Sequence, residues 1–392
     1  MEKPNQPIQT LSKPKSTRII SIDITRAIAI LIMLGNHIVH ATLNAKFIGT
    51  PSYNSWEYYR SFTAPLFLTI SGCVFFVATK IHWDKHKFFD TGFKKRIYRG
   101  LFLILLGYIL QLPGKYFSSF EVLQGTEYFR LVGANILRLI GLMLIILEIM
   151  IASIRRENIF ALVSGLLFIA GAILSPFIWQ IPWGDFPQNI LMGYLNGNPG
   201  DSITLYSVFT IFPFGFYMFG GILIGWFWTR ESVISYSAKR WVILLFTGFI
   251  MLYIGYLINN NIDQEWMNPR TKPAPFFRHF GAAILIIVVV DMICKMVKPP
   301  KFLRIAGGET LAIYFLHMPI VYGSIYNHGL WQRVGQTKSL AYSLFTFIFI
   351  AVILISVVNG WAYLRKKDPR ITKIIIASLF ALGILNGFIK FY

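Results

Sequence analysis

Polar residues in the first apolar segment are the part of this sequence best suited to chemistry. Between positions 19 and 39 the segment contains Asp23, Arg26, Asn36 and His37. Asp23 and Arg26 are three residues apart and would share one helical face, and His37 would lie about 16 Å beyond Arg26 on nearly the same face. A neutral imidazole near pH 7 is the best general base for an alcohol or amine. The shared helix favours His37 for that role over a histidine that merely sits at a membrane interface.

A second group of candidates comes later in the chain. His317 follows Tyr314 by three residues, so that the two would share a helical face. Five of the seven histidines fall in outer halves of apolar segments or in outer loops, namely His37, His40, His279, His317 and His328. For each of them, a position at the membrane interface without a role in chemistry is the alternative interpretation. Near the third apolar segment, Lys95, Arg96 and Arg99 form a basic cluster. Arg96 and Arg99 would point together and could hold phosphates, although anchoring at a cytoplasmic membrane face explains most such clusters.

The elements that position these residues are predicted to be membrane helices. The 392 residues are 55% hydrophobic and 14% charged, with a mean hydropathy of +0.57, which is typical of an integral membrane protein. The apolar segments give an all-α, polytopic fold of about eleven transmembrane helices. They lie at 19–39, 61–79, 97–112, 131–152, 159–178, 205–228, 241–258, 276–297, 303–322, 340–361 and 371–391.

Charge sets the predicted topology. Most of the 37 Lys and Arg residues fall on alternate loops that include the N-terminus, and basic loops stay in the cytoplasm. We therefore expect a cytoplasmic N-terminus, a disordered cytoplasmic tail over residues 1–18, and a single transmembrane domain over 19–392. The net charge of +20 would suggest nucleic-acid binding in a soluble chain, but here it reflects topology, and no nucleic-acid partner is expected.

Cysteine and histidine positions exclude other chemistry. Cys73 and Cys294 both lie inside apolar segments, which rules out a disulfide framework and a cysteine-based zinc site. The histidines are scattered without paired carboxylates, so no metal site is predicted. In the second segment, Pro65 and the small pair Ser71-Gly72 permit a kinked helix and close helix packing.

Four motifs in order resemble those of the acyltransferase-3 family of membrane enzymes. The spacing of Arg26 and His37 is similar to the R-x10-H signature of that family. Residues 21–27, together with 63–65 and eleven spans in place of ten, also resemble the heparan-α-glucosaminide N-acetyltransferase-like branch of the same wider superfamily. The other three motifs are a P-x-F-x-x-x-S-G element at 65–72, an F-x-x-R-x-x-R loop at 93–99 and a Y-x-x-H-x-P helix at 314–319.

The resemblance implies an O- or N-acetyltransferase of the cell envelope. Such an enzyme moves an acyl group, usually acetyl, from cytoplasmic acetyl-CoA or another acyl-CoA to a hydroxyl or amine of a carbohydrate at the outer face. His37, oriented by Asn36, would be the general base, with a transient acyl-histidine as the alternative. Other residues would bind the donor or the developing oxyanion: Arg26, Lys95, Arg96 and Arg99 on the donor, and Ser71, Tyr314 and His317 near the thioester oxygen.

Two other function classes fit parts of the pattern. A secondary transporter or glycolipid flippase would also use intramembrane charges and outer histidines, and a structural scaffold is the third possibility. For the enzyme we expect acyl-CoA, a glycan or other sugar-containing acceptor and the lipid bilayer as partners, and we leave open a homo-oligomer. Without a separate targeting peptide, we expect a bacterial inner membrane.

Overall fold

The predicted all-α class is confirmed. A computed structural model describes residues 19–112, 131, 133–182, 188–197, 208–230, 237–324 and 327–372, with 374, 375, 377 and 378. Within these residues the chain is helical and has no strand, and its extended pairing is limited to two isolated bridges, Leu43–Lys338 and Ser324–Asn327. The predicted tail over 1–18 and most of the predicted span 371–391 lie outside the described residues.

The apolar segments form helices long enough to cross a membrane. Among the described residues, eight helical stretches have the length and composition of a span. The helices are α1 (Ile20–Thr42), α2 (Pro51–Arg60), α3 (Thr63–Lys80), α4 (Thr91–Ile109), α5 (Ile136–Ile154), α6 (Glu157–Ile178), α7 (Gln188–Leu195), α8 (Phe216–Trp228), α9 (Ser237–Asn261), α10 (Pro273–Met296), α11 (Lys301–Gly308), α12 (Thr310–Tyr322), α13 (Leu330–Arg333) and α14 (Leu340–Lys367).

The predicted spans agree with these helices in position. Each of the first ten predicted segments overlaps a described helix, and the count of eleven and the cytoplasmic N-terminus remain predictions. The third segment differs in its start, because α4 already begins at Thr91 and therefore includes the basic cluster. These basic residues are part of a helix and do not form a loop before it.

Helix α1 occupies the centre of the bundle. It packs against α3, α10, α11, α12 and α14, and Ile30, Leu34 and Ile38 on it are fully buried. Its polar residues are therefore held among other helices and away from lipid. We call the end of the bundle at which α1 begins the inner end, and the end at which α1 finishes the outer end.

Close helix packing at Gly72 confirms the packing interpretation of that motif. Helices α3 and α8 approach each other so closely that a Cβ at Gly72 would lie 1.9 Å from the carbonyl oxygen of Met218. The reciprocal contact is equally tight, since a Cβ at Gly221 would lie 2.0 Å from the carbonyl oxygen of Thr69. Small residues of this kind let membrane helices pack backbone against backbone.

The predicted span 303–322 is divided into two helices. Helix α11 ends at Gly308 and α12 begins at Thr310, with Glu309 between them at φ −107° and ψ 24°. The pair Gly307-Gly308 favours this break because glycine has a low helix propensity. A side chain at Gly307 is also excluded by α1, since a Cβ there would lie 1.8 Å from the carbonyl oxygen of Asp23.

We expect Gly72→Ala to destabilise the protein. The added methyl would meet the backbone of α8, which cannot move aside as a side chain can, and overpacking of this kind costs about 1–3 kcal/mol. Gly360→Ala on α14 is the matched control, because a Cβ at Gly360 has no atom within 4 Å. Thermal unfolding of the detergent-solubilised proteins tests the difference. Equal melting temperatures for the two variants would contradict the tight α3–α8 contact.

Candidate functional site

Two histidines and a tyrosine meet near the outer end of α1. Nδ1 of His37 lies 2.7 Å from the hydroxyl oxygen of Tyr322, and the His37 and His317 rings are 5.3 Å apart between centroids. His37 comes from α1, whereas His317 and Tyr322 come from α12. The structure therefore brings the two predicted catalytic histidines together, from segments that are far apart in the sequence.

The hydrogen bonding of His317 identifies its proton-accepting nitrogen. Its Nδ1 lies 2.9 Å from the carbonyl oxygen of Ile313, one turn earlier in α12. Because a carbonyl can only accept, Nδ1 carries the proton, and Nε2 of the neutral ring presents a lone pair. His317 is fully buried, and its Nε2 has no hydrogen-bond partner in the described part of the chain. The Tyr314 ring contacts His317 edge-on at 5.3 Å.

A cavity opens beside these residues towards the outer end. Its volume is about 370 Å³, and amide and aromatic side chains make up most of its polar wall: Gln111, Asn135, Tyr314, Tyr322, Trp331 and Gln332. We call it the outer cavity. Tyr322 both lines this cavity and bonds to His37, so the tyrosine connects the histidine pair to the space where a polar ligand would sit.

A stacked pair lies one helical turn beyond His37. His40 stacks on Trp331 with an interplanar angle of 8° and a centroid distance of 5.4 Å, and Gln336 donates to the His40 backbone carbonyl at 3.1 Å. Trp331 is 40% exposed, so its ring remains accessible beside the outer cavity. A flat, accessible indole ring of this kind can stack against an apolar face of a ligand.

Asn36 does not orient His37 as predicted. Its Nδ2 donates to the hydroxyl oxygen of Thr63 on α3 at 3.2 Å, because consecutive residues of a helix point in directions about 100° apart. Tyr322 makes the hydrogen bond to His37 instead. Asn36 therefore contributes to the site by holding α1 against α3.

Arg26 lines a second cavity at the inner end. This inner cavity has a volume of about 490 Å³ and also includes Asp23 in its wall. Arg26 donates to the hydroxyl oxygen of Thr310 at 2.6 Å, just after the break between α11 and α12. Helix α1 therefore contributes Arg26 to the inner cavity and His37 to the site at the outer cavity, about 16 Å apart along the helix.

The basic cluster of α4 does not form the predicted arginine pair. Arg96 lies over the ring of Phe75 at 4.5 Å, and its Nε is 3.9 Å from a carboxylate oxygen of Glu148. Glu148 is fully buried and also accepts a hydrogen bond from Nδ1 of His86 at 2.6 Å. Lys95 and Arg99 are exposed, whereas Arg96 is half-buried. Arg96 is therefore paired with the buried Glu148 carboxylate of α5, and Arg99 remains at the surface.

The hydroxyl of Ser71 bonds within its own helix. It donates to the carbonyl oxygen of Phe67 at 2.8 Å, one turn earlier in α3. A serine in this geometry satisfies its own hydroxyl within the helix.

Several site residues are absent from the sequence prediction. Tyr322 follows Tyr314 by eight residues, a spacing within one helical stripe, so the tyrosine could have been found from the pattern. Thr310 and Glu309 gave no comparable signal, because their roles depend on the helix break. Arg365 and Lys366 were assigned to membrane topology alone, yet both line the inner cavity.

A comparison with known protein families matches most of this chain. The acyltransferase domain family matches residues 19–361, which is most of the chain and includes His37, His317 and Arg26. No curated protein matches the sequence. The match ends just before Arg365 and Lys366 on α14.

We expect Arg96→Gln to lower the thermal stability of the protein. Glutamine removes the cation beside the buried Glu148 carboxylate, and a poorly compensated buried polar group costs about 1–3 kcal/mol. Arg99→Gln, three residues along the same helix, removes an exposed charge and should leave the melting temperature unchanged. Both melts are measured in detergent without ligand. If Arg96→Gln melted like the wild type, Arg96 would have no structural role in this cluster.

Proposed function

Because the chain belongs to the acyltransferase domain family, we propose that it is an integral membrane enzyme that uses acyl-CoA to acylate a carbohydrate. The acyl donor, with acetyl-CoA as the expected form, enters the inner cavity from the cytoplasm. The acceptor is a hydroxyl or amine of a glycan, which enters the outer cavity. Modification of a cell-envelope carbohydrate at a bacterial inner membrane, and the resemblance to the heparan-α-glucosaminide N-acetyltransferase-like branch, are parts of this proposal.

The observation that carries the proposal is the position of the histidine pair between two cavities. The inner cavity is lined by Arg26 and the outer cavity by Tyr322, which bonds to His37. Helix α1 thus lines a basic cavity at one end, and near its other end His37 contacts Tyr322, which lines an amide-rich and aromatic cavity. A donor with phosphates and a hydroxyl-rich acceptor require these two environments.

His37 acts as the general base in this scheme. This role requires the tautomer in which Nδ1–H donates to the Tyr322 oxygen across the 2.7 Å contact, so that Nε2 takes the proton from the acceptor hydroxyl or amine. The acceptor oxygen or nitrogen then attacks the thioester carbonyl carbon, a bond to the acyl group forms, and the carbon–sulfur bond breaks. The CoA thiolate leaves and takes the proton back from the imidazolium, so His37 returns to its neutral form.

His317 positions the acceptor. Its Nε2 is buried, and the ring centroids of His317 and His37 are 5.3 Å apart. A second hydroxyl of the sugar is a suitable donor to the Nε2 lone pair. The Tyr314 hydroxyl, on the same helix and in the wall of the outer cavity, is placed to donate to the oxyanion that develops on the thioester oxygen. Asn36 and Thr63 hold α1 at the required depth against α3.

We expect His37→Ala to lose about 10²–10⁴-fold in turnover while the protein folds normally, because the general base is removed. The purified enzyme is placed in membranes, and the rate at which radiolabelled acetyl groups pass from acetyl-CoA to envelope carbohydrate is measured. His328→Ala, an exposed histidine of an outer segment, is the control and should keep full turnover. Near-wild-type turnover of His37→Ala would assign the base to another residue.

We expect Tyr322→Phe to lower turnover by about tenfold. The substitution removes one hydrogen bond to His37, worth about 1–2 kcal/mol, and leaves the ring in place. Tyr363→Phe on α14 is the matched control, because Tyr363 is 66% exposed. A loss of the same size in both variants would remove Tyr322 from the mechanism.

Dependence on the acyl donor distinguishes an acyltransferase from the transport alternative. An acyltransferase consumes acetyl-CoA and releases free CoA thiol in proportion to the acylated product. A carrier or flippase would move its glycolipid across proteoliposome membranes without acyl-CoA and without thiol release. Substrate flux without CoA dependence would overturn the enzymatic proposal.

A further inference from the structure

The inner cavity contains basic side chains in addition to Arg26 of the first helix. Three cationic side chains line it, namely Arg26 from α1 and Arg365 and Lys366 from α14. Two carboxylates, Asp23 and Glu309, are in the same wall. The cavity therefore combines an excess of positive charge with carboxylates that hold some of this charge in place.

Arg365 and Glu309 form a two-point ion pair across this cavity. Nη1 of Arg365 lies 3.3 Å from one carboxylate oxygen of Glu309, and Nη2 contacts the other oxygen more closely. The Arg365 side chain is 52% exposed, whereas the Glu309 side chain is 14% exposed. The guanidinium is thus the accessible partner, and its fork can bind a phosphate with the same geometry that it uses for the carboxylate.

The helix break connects this pair to Arg26. Glu309 is the residue between α11 and α12, and the next residue, Thr310, accepts the hydrogen bond from Arg26. Two consecutive residues of the break therefore hold cations that come from two different helices, α1 and α14. An anion that enters the cavity meets both cations at once, and it competes with Glu309 for the accessible one.

The basic cluster of α4 is less suitable for the same role. Arg96 is engaged with Glu148 and Phe75, and neither Lys95, Arg96 nor Arg99 lines the inner cavity. Arg365 and Lys366, in contrast, line the cavity that also contains the family residue Arg26. This contrast in placement identifies α14 as the better source of phosphate ligands.

We propose that Arg365 and Lys366 hold the phosphates of the acyl-CoA donor in the inner cavity, and that the donor takes the place of Glu309 on Arg365. This assignment rests on the proposed acyltransferase function. The phosphates remain at the inner end, where α14 finishes, while the pantetheine arm extends along α1 past Arg26 towards His37. The ion pair with Glu309 keeps Arg365 in position before the donor arrives.

The test is the affinity of the full-length protein in detergent for acetyl-CoA, measured by calorimetry. Charged hydrogen bonds contribute about 1.5–3 kcal/mol each, so we expect the double variant Arg365→Gln and Lys366→Gln to raise the Kd by about 10- to 100-fold or more. Lys367→Gln is the matched control, because Lys367 is the next residue, is exposed and does not line the cavity. It should bind like the wild type.

Two further arms identify the phosphate as the recognised group. Acetyl-pantetheine lacks the phosphates of CoA, so its Kd should be the same for the wild type and the double variant, which also shows that the variant is folded. Glu309→Gln removes the competing carboxylate and should lower the Kd for acetyl-CoA about two- to tenfold.

The outcomes separate this inference from the proposed function. Wild-type protein that binds acetyl-CoA, together with a double variant of unchanged Kd, overturns the assignment to Arg365 and Lys366 and leaves the acyltransferase proposal intact. An equal loss of acetyl-pantetheine affinity in the double variant also overturns the assignment, since the effect would not depend on phosphate. Folded wild-type protein that binds neither compound overturns the proposed function itself.

Discussion

The need to pair polar side chains within an apolar bundle governs the placement of the central helix. An unpaired polar group among apolar helices costs several kcal/mol, and α1 carries such groups along its whole length. Arg26 bonds to Thr310 and His37 to Tyr322 on α12, and Thr42 bonds to Ser343 on α14 at 2.8 Å. Each of these three bonds fixes α1 to a neighbour, and together they hold Arg26 at the inner cavity and His37 beside Tyr322.

Backbone contacts fix the distance between the helices that these hydrogen bonds join. Gly307 lets α11 approach the first turn of α1, and the following break at Glu309 redirects the chain into α12. At this break Glu309 pairs with Arg365, and the next residue, Thr310, accepts from Arg26. The close packing of α3 on α8 at Gly72 and Gly221 similarly fixes the position of α3. The Thr63 hydroxyl of α3 accepts the hydrogen bond from Asn36. The site is thus positioned by glycines that take no part in its chemistry.

The sequence was sufficient to predict the helical class and the positions of most helices, and it identified His37 and His317 as separate candidates. These predictions depend on apolar segment length and on the spacing of polar residues within one helix, whereas the meeting of the two histidines depends on packing between helices. The partners of those residues were harder to predict, because they depend on contacts between helices. Asn36 donates a hydrogen bond to Thr63 on α3, and Arg96 forms an ion pair with a buried carboxylate on α5. Neither contact has a signature in its own segment. Arg365 was missed because a basic residue after an apolar segment has the same pattern whether it anchors the helix or lines a cavity.

In the mechanism that we propose, one helix connects reactants from opposite ends of the bundle. Arg26 and His37 lie on the same helix, which sets their separation at about 16 Å. The proposed donor, held by its phosphates at the inner end, would present its reactive group at a depth set by that helix, and the proposed acceptor would reach the histidine pair from the outer cavity. Because the charged part of such a donor would stay at the inner end, only its uncharged arm would have to enter the apolar interior, which avoids the cost of moving phosphates between the helices.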